Sequence, residues 1–340
     1  MFGIAVTTVI SAMIVICVVF LIRHVAGKQI SKMAFMLIWG IVTLRLLIPY
    51  GFETNLSIWN FVDNPFAQDA LQQTQGFGLI DILLSIWVAG TAIFGLYFFV
   101  THTRFRKSIR DAVPVTNAYV LDWQKYNATF RPIKIKQSDK IASPLTFGIF
   151  KPVIILPDII ELYEEEEIRH ILTHEYVHIR RFDYLSKILL AVALSIHWFN
   201  PLVWLMYFLA NRDIEMSCDE IVVKALDKKS SAHYAMTLIN AADSQNQLAA
   251  LYSGFAKHAL EERVQAILQT KKKSNIGASF AIGLTVATLL IFSEPVAALI
   301  NHHVQFRPTD GQLIINDQEF NLDDHRNESG TPIIIIDNEN

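Results

Sequence analysis

Residues 171–185, ILTHEYVHIRRFDYL, place His174 and His178 four positions apart, with Glu175 directly after the first. On a helix, imidazoles at i and i+4 project from one face toward a common point. Two neutral imidazoles suit zinc, which then needs a third protein ligand and an open position for water. Glu175 is rotated about 100° from His174 on a 3.6-residue helix, so it can reach that water without ligating the ion. Its chemistry would be that of a general base, taking the water's proton as oxygen attacks a carbonyl and returning it to the leaving amine. The H-E-x-x-H pattern of zinc hydrolases has this content. An inert surface helix can carry the same five residues, so the surroundings must decide.

A carboxylate on another helix should complete the ligand set. NRDIEMSCDE, 211–220, offers Asp213, Glu215, Cys218, Asp219 and Glu220. Glu215 and Asp219 stand i, i+4 on one face. In that arrangement the glutamate binds zinc while the aspartate accepts the other ring N–H of a ligand histidine. Cys218 is the rival ligand, and a thiolate there would turn the site toward a structural type. Asp183, five residues past His178, is a second candidate for the outer shell, with a simple solvated charge as its alternative.

The elements that must position these groups are legible in pattern. YEEEEIRHILTHEYVHIRRF predicts one helix, with Glu164–Glu167 in the first turn, where negative charge offsets the helix dipole, and Ile168, Ile171 and Leu172 facing the core. Upstream, Ile133 and Ile135 alternate with Lys134 and Lys136, the period of a half-buried strand. SPLTFGIFKPVIILP, 143–157, combines apolar strand formers with Pro144, Pro152 and Pro157 and predicts an edge strand, with Gly148 at a turn or bulge. An exposed edge can take up an extended peptide by β-addition. Residues 230–270 read mostly as helix, with Glu261, Glu262 and Arg263 on a charged face. YSGFAK, 252–257, is the exception, because Gly254 weakens a helix there.

Of the 340 residues, 52% are hydrophobic and only 18% charged. Membrane spans explain this better than two or three soluble domains. Four segments are long and apolar enough to serve: 2–22, 33–50 with one charge at Arg45, 79–100 with one at Asp81, and 276–293. A cleaved signal peptide competes for the first, without a basic n-region to support it. Lys and Arg cluster after the first and third segments and before the last, which predicts the N-terminus and the tail outside and 101–275 in the cytosol. The net charge of −3 gives nucleic-acid binding no support. Cys17 and Cys218 lie far apart, and a reduced compartment suits Cys218. Residues 187–210 would pass for a fifth span, but a span holds its ends about 30 Å apart, while His178 and Glu215 must share one ion. Asn200–Pro201 breaks the run and Trp198, Trp204 and Tyr207 favour an interface. The segment is therefore expected to re-enter the cytosol. The expected organisation is three spans in 1–100, a cytosolic domain in 101–275, a last span in 276–298 and a short extracellular tail in 299–340.

SPLTFGIFKPVIILP, HEYVHIRRFDYL, WFNPLVW and DIEMSCDE, in this order, resemble the membrane metalloproteases of the BlaR/MecR type, beta-lactam sensor-transducers of Gram-positive bacteria. The likeness runs over roughly residues 1–295. It implies an α-helical multi-pass plasma-membrane protein with an inserted α+β gluzincin-type zinc protease domain. His174, His178 and Glu215 would be the zinc ligands and Glu175 the catalytic base. It also implies that an extracellular signal activates the cytosolic protease, which cleaves itself and relieves a transcriptional repressor. Autocleavage is expected near Ser253, Gly254 and Phe255. The family's sensors carry a penicillin-binding domain with S-x-x-K after the last span. Here no S-x-x-K occurs, and beta-lactam sensing is not expected. GQLIINDQEFNL and TPIIIID in the tail could form a hairpin or meet a partner, with a disordered acidic tail as the alternative. The expected partners are a protein substrate such as a cytosolic repressor, the lipid bilayer, an extracellular sensor or ligand at the tail, and a second copy of the chain as a homodimer, with no direct nucleic-acid contact. A housekeeping membrane protease is the alternative function. A non-catalytic receptor with structural zinc is a third, against which the intact Glu175 argues.

Overall fold

Phe2–Ala26 contains no acidic residue and forms a 25-residue helix, α1, with Arg23 and His24 in its last turn. The computed structural model describes residues 2–48, 78–127, 131–246, 253–269 and 274–292, together with three strands between 304 and 321. They divide into two units. The larger, Ala12–Ile48 with Thr74–Thr285, holds every residue singled out above for chemistry. Helix α2, Lys32–Leu47, is capped by the Ser31 hydroxyl, which accepts from the Met33 N–H at 3.2 Å. Helix α3, Leu79–Ser108, starts with the Asp81 carboxylate accepting from the Gly78 N–H at 2.9 Å. Val9–Ala26 and Asp81–Ser108 are long and apolar enough to cross a membrane. Asn275–Ile291, α10, is apolar but shorter. The second predicted span corresponds to α2, whose Phe35, Ile38, Trp39 and Val42 are buried within the larger unit.

The sheet has strands β1 (Val113–Pro114), β2 (Lys134–Ser138), β3 (Leu145–Phe147) and β4 (Val153–Pro157) in the order β1-β2-β4-β3. The single edge strand expected over 143–157 is in fact two strands, and only β3 lies on the edge. Strand β4 is internal, parallel to β2 and antiparallel to β3. Prolines are tolerated there because Pro152 precedes the strand and Pro157 ends it, so the ladder in between keeps its N–H donors. Gly148 makes the turn out of β3 with φ +93°, and a Cβ would lie 2.8 Å from the Lys151 carbonyl oxygen. Helix α4, Ala118–Tyr126, and helix α5, Glu165–Arg181, cover the sheet. Val120, Ile135, Ile154, Leu156, Ile168 and Leu172 form the core between them, each such side chain contributing about 1.5–3 kcal/mol on burial.

Helix α6 (Asp183–Ile196) and helix α7 (Pro201–Lys224) form a hairpin broken where Asn200–Pro201 predicts it. The Asn200 side chain caps α7 by accepting from the Leu202 N–H at 3.0 Å. The hairpin tip is held by α2 and α3. His197 Nε2–H donates to the Leu46 carbonyl (3.2 Å) and Trp87 Nε1–H to the Ile196 carbonyl (2.8 Å). The Trp198 indole occupies the space over Gly90, where a Cβ would fall 2.2 Å from the ring. Trp198 and Trp204, expected at an interface, both pack on Phe94 of α3, with ring centroids 5.9 and 5.6 Å away. Helix α7 then runs on without a break for 24 residues, about 36 Å. It carries Glu215 and Asp219 on the same rod as the apolar run.

Helix α8 spans Lys228–Asn246 and helix α9 spans Ser253–Leu268. This corrects one expectation: Ser253, Gly254 and Phe255 form the first turn of α9, not an extended stretch. Glycine's penalty of about 1 kcal/mol belongs to the helix interior, and the N–H groups of a first turn have no intrahelical partner to lose. In the smaller unit, β5 (Val304–Arg307), β6 (Gln312–Ile315) and β7 (Gln318–Asn321) form an antiparallel sheet in that order. GQLIINDQEFNL supplies the β6–β7 hairpin, while TPIIIID lies outside the described residues.

Gly90→Leu should lower stability by about 1–3 kcal/mol through overpacking against Trp198, read as a fall in the melting temperature in detergent. Combining it with Trp198→Ala should abolish most of that increment, and an equal fall with and without the indole would refute the contact.

Candidate metal centre

Glu164 caps helix α5, its N–H donating to the Glu167 carboxylate at 3.2 Å, and Glu165–Glu167 of the expected acidic run Glu164–Glu167 fill the first turn. Three turns on, His174, Glu175 and His178 are all buried. The helix ends at Phe182, the one described non-glycine residue with positive φ (φ 59°, ψ 35°). Arg131 braces this turn, its guanidinium 3.8 Å from the centre of the Phe182 ring and donating to the carbonyls of Ile149 and Ile179. The reversal brings Asp183 back beneath the helix it has just left.

His178 Nδ1–H donates to Asp183 Oδ2 at 2.6 Å. His174 Nδ1–H donates to the Tyr234 hydroxyl at 2.8 Å, and that hydroxyl donates to Asp219 Oδ1 at 2.6 Å. Both protons therefore sit on Nδ1, and both Nε2 lone pairs face inward, 3.2 Å apart. Glu215 Oε2 lies 3.6 Å from each Nε2. A tetrahedral ion with bonds of about 2.0–2.1 Å has ligand–ligand edges of about 3.3–3.4 Å, so the three atoms are spaced for one ion of zinc size. Cys218 is a second candidate donor, as its Sγ and nitrogens of both histidines all lie within 4.8 Å of one another. Its thiol donates to the His174 carbonyl at 3.2 Å inside the packed core.

The electrostatics favour a cation at this point. Burial alone would keep both imidazoles neutral. Cys218, Tyr234 and Asp219 around His174 reverse that effect, as do Asp183, Cys218 and Glu215 around His178, and both are raised well above ordinary histidine. Burial would raise Glu215 too, but Lys187 and the two imidazoles hold it well below the usual carboxylate range. Surroundings that hold protons on the imidazoles favour a divalent ion in their place.

The acidic residues along α7 are all engaged. Asp213 is fully buried, accepting from Arg23 (2.9 and 3.0 Å) and from Trp39 Nε1–H (2.9 Å). Glu220 accepts from Ser31 and the Lys32 N–H at the start of α2. Glu215 Oε1 is 3.0 Å from Lys187 Nζ. Asp219 Oδ1 lies 3.3 Å from His174 Nδ1, and the Tyr234 hydroxyl, bonded to both groups, shares that ring N–H. Arg263, read from the sequence as part of a charged surface, instead grips Asp219 at 2.7 and 2.9 Å. Burial would raise the Asp219 carboxyl, and this guanidinium instead holds it far below its ordinary value. The apolar neighbours Ile267 and Val264 face the core formed with Val177 and Val222, and this carries Arg263 inward.

Glu175 Oε2 accepts from the Thr146 hydroxyl at 2.7 Å, so the edge strand β3 holds the expected base. A cavity of about 150 Å³ opens there, lined by Thr146, Glu175, His178, Tyr184, Lys187 and Glu215. Arg181 ties the two site helices together, bonding Asp183 on one side and Ser217 and the Ile214 carbonyl on the other. Thr146, Arg181, Lys187, Tyr234 and Arg263 all escaped the sequence reading. Only Lys187, a lone charge opening an apolar run, carried a signal.

The family described as BlaR1 peptidase M56 matches residues 4–267. "Regulatory protein BlaR1" of Bacillus licheniformis is 26% identical over 240 residues, covering 68% of this chain and 39% of the relative. "Methicillin resistance mecR1 protein" of Staphylococcus aureus and of Staphylococcus epidermidis are each 25% identical over 334 residues, covering 88% of this chain and 56% of the relative. The chain thus spans about half the length, or less, of these curated relatives.

His174→Ala and His178→Ala should each abolish metal binding, whereas Cys218→Ser should retain it, as measured by elemental mass spectrometry of the purified protein. Tyr234→Phe should weaken metal affinity about 10–100-fold by releasing the His174 ring, measured by chelator competition. Full metal content in both histidine variants would overturn the site.

Proposed function

Because the chain belongs to the BlaR1 peptidase M56 family, we propose that it is a membrane-embedded zinc endopeptidase of gluzincin type that transduces an extracellular signal by cleaving a cytosolic regulator, such as a transcriptional repressor, or itself. What carries the peptidase assignment is the convergence of two inward-facing imidazole lone pairs and one glutamate oxygen within 3.2–3.6 Å, beside a buried carboxylate that takes no part in that triangle. His174, His178 and Glu215 would hold the ion. When bound, zinc supplies Lewis acidity toward a peptide carbonyl and makes water more acidic.

The remaining work falls to the chain. Glu175 takes a proton from the attacking water and returns it to the departing amide nitrogen. Thr146 fixes which Glu175 oxygen faces the cavity by donating to the other. The free side of β3 offers its backbone to an extended substrate, which would lay a scissile bond alongside Glu175. Lys187 neutralises the outer oxygen of Glu215 and leaves its partner directed at the imidazoles. Asp183 and the Tyr234–Asp219–Arg263 chain keep both rings turned inward. Self-cleavage at Ser253–Phe255 would require the first turn of α9 to unwind.

Four spans remain the proposed topology, with the domain cytosolic and the tail outside. Support comes from the uncovered apolar side chains of α3, including Ile93, Leu96 and Phe99, and from the position of its basic end. The α6–α7 hairpin would then dip into the bilayer beside α2 and α3 and return both ends to the cytosol.

Glu175→Gln should keep the metal and lose about 10²–10⁴ in peptidase rate. Comparative proteomics of cells carrying this variant should show uncut substrates accumulating. Equal loss of metal would place Glu175 among the ligands. In a chain with Cys17 and Cys218 replaced by serine, new cysteines at Pro65 and Phe320 should react with an impermeant label on intact cells. Cysteines at Arg110, Ser230 and Leu260 should not, and labelling at Ser230 without Arg110 would refute the hairpin.

A further inference from the structure

Away from the metal centre, the end of α3 borders an open cavity of about 430 Å³, within the range of small-ligand pockets. Arg106, Lys107 and Arg110 line one side together with Lys136 of β2, and Phe147, Val153 and Ile155 line the other. Lys136 donates to the Ala112 carbonyl at 3.0 Å. The other three cations are exposed and, among the described residues, enter no hydrogen bond or ion pair through their side chains. The adjacent acid, Asp111, is already taken by Lys140 at 2.6 Å. The exposed Phe105 of α3 lies beside this wall, its ring centre 6.3 Å from that of Phe147.

Three exposed cations without a side-chain hydrogen bond or ion pair among the described residues, beside an apolar wall, suit a ligand with a phosphate at one end and hydrocarbon at the other. Guanidinium forks bind phosphate oxygens in pairs. The apolar wall and the exposed Phe105 beside it favour a lipid over an acidic peptide, which would leave that wall without a partner. We propose that this cavity binds the phosphate headgroup of an anionic phospholipid from the inner leaflet, an inference that rests on the membrane reading above. Its second consequence follows from strand geometry. Successive residues of β3 point to opposite faces, so Phe147 faces the cavity while Thr146 holds Glu175. A lipid whose headgroup is held by the cations and whose hydrocarbon packs on Phe147 steadies the strand that positions the base.

The test uses the full chain purified in detergent, titrated with phosphatidylglycerol or phosphatidylcholine and followed by native mass spectrometry. One phosphatidylglycerol should be retained in preference to phosphatidylcholine. The triple change Arg106→Gln, Lys107→Gln, Arg110→Gln should weaken it about tenfold or more. Changing Lys271, Lys272 and Lys273 to Gln, a basic run of equal size, should leave it unchanged. Arg106→Lys with Arg110→Lys, which keeps the charge and loses the paired hydrogen bonds, should weaken it less than the triple change. If the triple change unfolds the protein, as judged by its melting temperature, Arg110→Gln alone should still weaken the adduct. In liposomes, phosphatidylglycerol should raise the peptidase rate of the native chain but not of the triple variant. Equal weakening by both triple changes, no preference between the lipids, displacement by equimolar glycerol phosphate, or tighter capture of an acidic peptide would each overturn the proposal. Recovery of the chain in the membrane fraction does not depend on these substitutions and reports on the membrane reading separately.

Discussion

Two imidazole lone pairs face each other at 3.2 Å inside a buried site, an arrangement that repels itself unless a cation or a proton sits between them. Most of the larger unit serves to impose it. Each ring is turned by a hydrogen bond from its far nitrogen, one to Asp183 and one to Tyr234. Asp183 is fixed in turn by Arg181, and Tyr234 by Asp219, which Arg263 holds. Removing either partner of such a buried ion pair leaves an unpaired charge, at a cost of about 3–5 kcal/mol. The site is therefore a set of nested constraints in which the outer arginines matter through the rings they orient.

Helix α7 joins the apolar part of the chain to its chemistry. Its first half packs in the hairpin with α6 against α2 and α3, and its second half presents Glu215 and Asp219. Asp213 and Glu220, seven residues apart, anchor that second half to the end of α1 and the start of α2. Glu215 lies between these anchors. A displacement of α1 or α2 would therefore reach the carboxylate through rigid helix, the kind of continuous path that coupling between sites requires. Strand β3 does comparable work on the opposite side, holding the base on one face and bordering the basic cavity on the other.

What local pattern determines was readable without coordinates. The spacing of His174, Glu175 and His178 on a helix follows from the 3.6-residue period. The acidic start of α5, the turn at Gly148, the break at Asn200–Pro201 and the pairing of Glu215 with Asp219 on one face follow from equally short-range rules. Asp183 was within reach because only five residues separate it from His178. How it gets there was not, since nothing local requires Phe182 to adopt a left-handed turn braced by Arg131 from a distant segment.

Tertiary structure alone decided the rest, because those choices depend on which surfaces meet across long separations. β3 is an edge and β4 is not, since β2 pairs in parallel with β4 from some twenty residues upstream. Tyr234 reaches both His174 and Asp219 because α8 packs on α5. Arg263 leaves the solvent because Val264 and Ile267 carry its helix into the core. Ser253–Phe255 are helical because the residues after them propagate α9 back to its start. A single sequence records helix faces and turn chemistry at a range of a few residues. The packing of one face against another, sixty or a hundred residues away, is a free-energy balance over the whole chain, and no short stretch encodes it.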